Sequence, residues 1–133
     1  MYYFAYGANL NRKQMSERCP ACKPLFRATL PNHKLIFTGW SRKWRGGTAT
    51  IRPAQGEKVL GGIYEVSEAD LKTLDGFEDV PQTNSRAKKT VVKDGGDWVE
   101  VVAYVKREQL EEAKPSPEYL AIVRQGYKDW RII

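Results

Sequence analysis

Strand-like runs dominate the chain and arrive in clusters, while helical spacing is confined to three short stretches. Tyr2–Tyr6 reads as an aromatic strand running into the turn-forming segment Gly7-Ala8-Asn9-Leu10. A short polar helix over Asn11–Arg18 follows. Phe26–Leu30, Lys34–Thr38, Thr48–Arg52 and Val59–Val66 are strand-like, the first two separated by Pro31-Asn32. Gly61-Gly62 inside the last of them signals a bulge or a close backbone approach. The period then changes. Ser67-Glu68-Ala69-Asp70 resembles a capping box, Leu71 and Leu74 follow at helical spacing, and Asp75-Gly76 is the expected stop. Arg86–Lys93 and Trp98–Lys106 form an expected hairpin around Asp94-Gly95-Gly96-Asp97. Ser116 as N-cap and Pro117 at the first helical position open a closing helix with Tyr119, Val123, Tyr127 and Trp130 on one face. About seven strands with scattered helices predict an α+β fold with a curled or barrel-like sheet, and disfavour a doubly wound parallel one. No repeat or linker divides the chain, so residues 1–133 read as one domain.

Composition narrows the function classes. A hydrophobic fraction of 41% with 15 aromatic residues supports a real core and excludes a disordered or collagen-like chain. No apolar run reaches the ~18 residues of a membrane span, and no signal-peptide pattern opens the chain. A cytoplasmic protein with no membrane partner is therefore expected. The net charge of +6 is uneven: residues 1–58 hold eleven Lys and Arg against Glu17 and Glu57 alone. That asymmetry suits an anionic ligand near the first half, or simply a basic solvated surface.

Three segments carry possible chemistry. A strand ending in Tyr6-Gly7-Ala8-Asn9-Leu10 can aim successive backbone N–H groups into one concavity, as a nest for a carboxylate or a developing oxyanion; an ordinary tight turn is the alternative. Glu78, just beyond a helix end and beside Phe77 and Val80, has the setting of a carboxylate with a raised pKa, although solvated turn glutamates are common. Ser116 and Pro117 are explained by capping alone, while Tyr119 in the first turn either reaches a cleft or fills the core.

These segments occur in a fixed order with Gly46-Gly47-Thr48-Ala49-Thr50-Ile51, Gly61-Gly62-Ile63-Tyr64 and Leu74-Asp75-Gly76-Phe77-Glu78. In that order they resemble the γ-glutamylcyclotransferase family, related to the plant AIG2-like proteins, over about residues 3–127. The resemblance implies a small mixed β-barrel of about six to seven strands with peripheral short helices. It also implies cleavage of a γ-glutamyl amide or γ-glutamyl amino acid to 5-oxoproline and a free amine or amino acid, without a cofactor. By position, the family's catalytic glutamate matches Glu78, its substrate-cradling loop matches Tyr6, Gly7, Ala8, Asn9 and Leu10, and its substrate-contacting tyrosine matches Tyr119. Two positions depart from the pattern: Ala8 stands where the family usually has Ser, and Asp79 puts a second carboxylate where Gly is common. Asp79 is expected to raise the pKa of Glu78, or to oppose anion binding if it faces inward.

Other signals are weaker. Cys19-Pro20-Ala21-Cys22 is a CxxC, but tetrahedral zinc needs two more ligands and His33 is the one remaining Cys or His, so no metal and free thiols are expected. Trp40–Gly47 interleaves aromatics and cations as single-stranded nucleic-acid grooves do. Two alternatives to a cyclotransferase follow: a non-catalytic binding protein for a small anion or a γ-glutamyl ligand, and, more weakly, a nucleic-acid binder using the 40–47 loop. Monomer and homodimer are equally compatible with the sequence.

Overall fold

Five strands curl into a closed barrel in the order β1-β3-β2-β4-β5. The structure is a computed structural model that describes residues 1–108 and 110–133. In chain order the elements are β1 (Tyr2–Ala5), a 3-10 turn (Ala8–Leu10), α1 (Arg12–Arg18), β2 (Lys23–Ser41) and β3 (Gly46–Glu65). They continue with α2 (Glu68–Phe77), β4 (Asn84–Lys93), β5 (Trp98–Lys106) and α3 (Pro117–Asp129). Successive neighbours pair antiparallel. β1 closes the ring by a parallel pairing with β5 at Tyr3↔Val102, so the sheet is mixed as expected.

The strand count is five rather than six or seven, because two expected breaks are not breaks. Phe26–Leu30 and Lys34–Thr38 are parts of β2, and Thr48–Arg52 and Val59–Val66 belong essentially to β3. Pro31 sits where the ladder skips from Pro31↔Lys58 to His33↔Pro53, and Asn32 takes a left-handed φ of 58°. A proline's missing N–H is tolerated at such an irregularity, so the strand bends and continues. At Gly61 and Gly62 the expected close approach is present: a Cβ would fall 2.3 Å from the Ala5 carbonyl oxygen and 2.5 Å from the Trp130 ring.

Alternation along β1 separates two cores. Phe4 and Tyr6 join Leu30, Ile51, Ile63, Val91 and Val101 in a cluster built from strand residues, the barrel interior. Tyr3 and Ala5 point the other way, where Leu10, Met15, Leu71, Leu74 and Trp130 bring the helices onto the sheet. The caps are as the sequence indicates: Ser67 and Asp70 form a reciprocal capping box on α2, and Ser116 Oγ accepts from Tyr119 N at the start of α3. α2 nevertheless runs through Asp75-Gly76 to Phe77. The two cysteines, expected as free thiols, form a disulfide between Cys19, the residue after α1, and Cys22. Their spacing brings the Cα atoms to 5.5 Å, within ordinary disulfide range. Among the described residues no helix is long and apolar enough to cross a membrane.

Candidate functional site

A cavity of about 520 Å³ opens at one end of the barrel, and residues far apart in sequence meet on its wall. Tyr6, Gly7, Ala8 and Asn9 line it from the β1 end, Glu78 from the end of α2 and Tyr119 from α3. Leu10 departs from its expected place. It is fully buried in the helix-side core and its carbonyl accepts from Trp130 Nε1 at 2.8 Å, so it anchors the turn rather than facing the cavity.

Glu78 owes its position to the way α2 ends. Its backbone N–H donates to Leu74 O at 2.9 Å as the last helical turn, and Asp79 then turns the chain with a φ of 52°. The Glu78 carbonyl accepts from Asn84 Nδ2 at 2.7 Å, fixing the corner. Inside, Glu78 Oε1 accepts from Asn9 Nδ2 at 3.2 Å. Burial raises the carboxyl pKa, while the Arg18 and Lys106 charges oppose the rise. Asp79, expected to raise that pKa, is not among the groups that set it. It is exposed, and its carboxylate accepts from Thr83 Oγ1 at 2.6 Å, so the neighbouring charge is tied to its own turn.

Tyr119 lines the cavity from the first turn of α3. Its hydroxyl accepts from Ala49 N at 2.9 Å, and Trp44 packs edge-on against its ring at 5.3 Å. A Cβ on Gly7 would fall 3.1 Å from Ala49 Cβ and 3.4 Å from Tyr119 Oη, so this position is kept small by crowding; its φ of −119° is ordinary. Ala8 begins the 3-10 turn, whose first N–H groups lack partners within the turn, and Ala8 and Asn9 both line the cavity. Tyr6 is buried and its hydroxyl donates to the Tyr104 carbonyl.

The sequence reading missed Arg18 and Lys106, and it named Asn9 and the 40–47 loop without the places they take here. Asn9 is a hub as much as a lining residue: its Nδ2 donates to Tyr3 Oη at 3.0 Å and to Glu78, and its Oδ1 accepts from Arg18 Nη1 at 3.1 Å. Arg18 looked like one more cation on a solvated helix, and no local signal marks it. Lys106 is a buried ammonium on the cavity wall, donating to Thr38 O at 2.5 Å, Thr38 Oγ1 at 3.1 Å and Thr48 O at 3.1 Å. Desolvation pushes its pKa down to about 8, partly offset by Glu78. Its signal was the period of two, which puts Lys106 on the same face as Tyr104. Last, the basic aromatic loop is the turn between β2 and β3, and Trp40 to Trp44 form the cavity's roof. The candidate zinc residues do not gather. Asp70 lies near the two sulfurs, but these are bonded to each other, and His33 packs elsewhere, against Pro31 and Lys89.

The family described as gamma-glutamyl cyclotransferase, AIG2-like, matches residues 3–131. A human protein named gamma-glutamylcyclotransferase is 31% identical over 132 residues, covering 96% of this chain and 70% of its own. A solved structure titled gamma-glutamyl cyclotransferase superposes with a TM-score of 0.92 at 30% identity, over 97% of this chain and 79% of that one. A mouse AIG2-like protein superposes less closely, with a TM-score of 0.59 at 25% identity over 90% of this chain and 81% of its own.

Proposed function

The chain belongs to the gamma-glutamyl cyclotransferase, AIG2-like family, and from that premise we propose that it converts a γ-glutamyl amide or γ-glutamyl amino acid to 5-oxoproline and a free amine or amino acid. One observation carries the reading: a carboxylate with a burial-raised pKa, Glu78, is held by Asn9 on the wall of a cavity large enough for a small molecule. Such a substrate already contains its nucleophile, the α-amino nitrogen, one five-membered ring away from the γ-carbonyl carbon. Holding it folded recovers much of the ~7–11 kcal/mol available to oriented intramolecular reactions. Glu78 takes a proton from the α-ammonium, and the freed amine attacks the γ-carbonyl. With that first proton passed on to solvent, Glu78 takes the second proton from the attacking nitrogen and gives it to the leaving nitrogen as the tetrahedral oxyanion collapses and the C–N bond to the leaving amine breaks, so one carboxyl serves as base and then acid. The amides at Gly7, Ala8 and Asn9 and the Tyr119 hydroxyl are the donors available for the substrate carboxylate and the oxyanion. The reading extends to a single domain over residues 1–133 acting in the cytoplasm on a small molecule.

The test is release of 5-oxoproline from γ-glutamyl amino acids by the wild type and by Glu78→Gln. Loss of the proton shuttle should lower kcat about 10²–10⁴-fold, while binding measured by calorimetry persists. Full turnover by Glu78→Gln would sink the assignment of Glu78, and no turnover by the wild type would sink the reaction.

A further inference from the structure

Among the described residues, three of the eight large apolar side chains exposed to solvent line this cavity, from three different parts of the chain. Trp40 at the end of β2 is 70% exposed, Phe77 at the end of α2 50%, and Leu110 beyond β5 42%, and all three line it. Their meeting is built in. Gly39 takes a φ of +70°, and a Cβ there would sit 3.0 Å from Leu110 Cδ1, so the strand end next to Trp40 is kept bare where Leu110 packs on it. Exposed aromatic and aliphatic surface grouped at a cavity mouth marks a binding surface rather than scattered residues.

The same mouth is positive. Arg42 and Lys43 are exposed on the roof turn, and no carboxylate among the described residues lies within ion-pair distance of either. Lys43 Nζ rests 5.0 Å from the Trp44 ring centre, and Arg18 Cζ 4.9 Å from that of Phe77, so cations lie against the aromatic faces. Partial burial, and then the nearby Arg18 charge, push the Lys43 pKa down. Among the described residues the cavity is lined by two carboxylates, the Glu78 of the proposed chemistry and Asp79, which accepts from Thr83 Oγ1 at 2.6 Å.

We propose that this mouth is the subsite for the departing half of the substrate, and that it selects a leaving amino acid bearing both a free carboxylate and a large apolar or aromatic side chain. Arg42 and Lys43 take the carboxylate; Trp40, Phe77 and Leu110 cover the side chain. Leaving groups that are cationic, such as a lysine side chain or a polyamine, meet an excess of positive charge, Arg18, Arg42 and Lys43 against Asp79, and are rejected. This inference rests on the cyclotransferase reading and adds the identity of the amine.

Four ligands separate its parts: γ-glutamylphenylalanine, γ-glutamylphenethylamine (the ring without the carboxylate), γ-glutamylalanine (the carboxylate without the ring) and the isopeptide ε-(γ-glutamyl)lysine. Calorimetric binding to Glu78→Gln, and kcat/KM on the wild type, should both rank γ-glutamylphenylalanine first. Loss of either the ring or the carboxylate should weaken it by about tenfold or more. Trp40→Ala should reduce affinity for γ-glutamylphenylalanine more than for γ-glutamylalanine. The double variant Arg42→Ala, Lys43→Ala should erase the advantage of γ-glutamylphenylalanine over γ-glutamylphenethylamine. Equal affinities across the four, preference for the lysine isopeptide, or no binding of any would overturn the inference. The expected binding order with no 5-oxoproline released by the wild type would instead overturn the reaction and leave the subsite standing.

Discussion

Burial pulls the Glu78 carboxyl toward its neutral form, and Arg18 and Lys106 pull it back toward the charged one. Removing one cation therefore has a signed consequence. In Lys106→Met the Glu78 pKa rises, and the acid limb of kcat/KM against pH moves to higher pH; a limb that stays in place would show Lys106 to be indifferent to Glu78. Stability gives a second readout. With its pKa pushed down to about 8 from an ordinary 10.5, folded Lys106 is largely neutral between those values while the unfolded chain still binds the proton. The contribution of Lys106 thus makes stability rise with pH across that window. Urea midpoints of the wild type should gain on those of Lys106→Met between pH 8 and 10. The Glu78 setting was readable as a carboxylate beyond a helix end. Its regulators were not, because Asn9, Arg18 and Lys106 reach it across 69, 60 and 28 positions of chain, and only closure of the barrel brings them together.

Helix α3 presses directly on the turn that lines the cavity. At Gly126 a Cβ would fall 2.6 Å from both Asn11 N and Leu10 C, so the helix lies against bare backbone there. Gly126→Ala pushes α3 off the turn at an overpacking cost of about 1–3 kcal/mol. It should lower the urea midpoint and also raise KM, since Ala8 and Asn9 move with Leu10; lost stability with normal KM would uncouple the two. Elements with strong local grammar, such as the α2 capping box, the Ser116-Pro117 start and the β4–β5 hairpin, were legible in sequence. Pro31 was misleading, since a proline that ends a regular strand merely kinks one that is already irregular. The Cys19–Cys22 bond was missed for a different reason: spacing alone does not distinguish a pair of thiols from a disulfide.

The whole molecule carries its positive charge unevenly, and four of its basic residues, Arg18, Arg42, Lys43 and Lys106, line the cavity. Attraction of an anionic substrate over distances near the Debye length should fade as salt shortens that length from about 14 Å at 0.05 M to about 4 Å at 0.5 M. KM for γ-glutamylphenylalanine should rise several-fold over that range while kcat holds, whereas a salt-independent KM would show that the field plays no part in capture. The long β2–β3 hairpin has a consequence of another kind. Its strands are locked by an extended ladder, from Lys23↔Glu65 to Ser41↔Gly46, and the residues that roof the cavity hang from its tip. Neither Glu78 nor the first-strand turn belongs to that tip. Residues 40–43 therefore form a cassette: exchanging them on the same ladder, with Trp44 kept against Tyr119, should retarget the enzyme to another leaving group while the chemistry beneath is inherited unchanged.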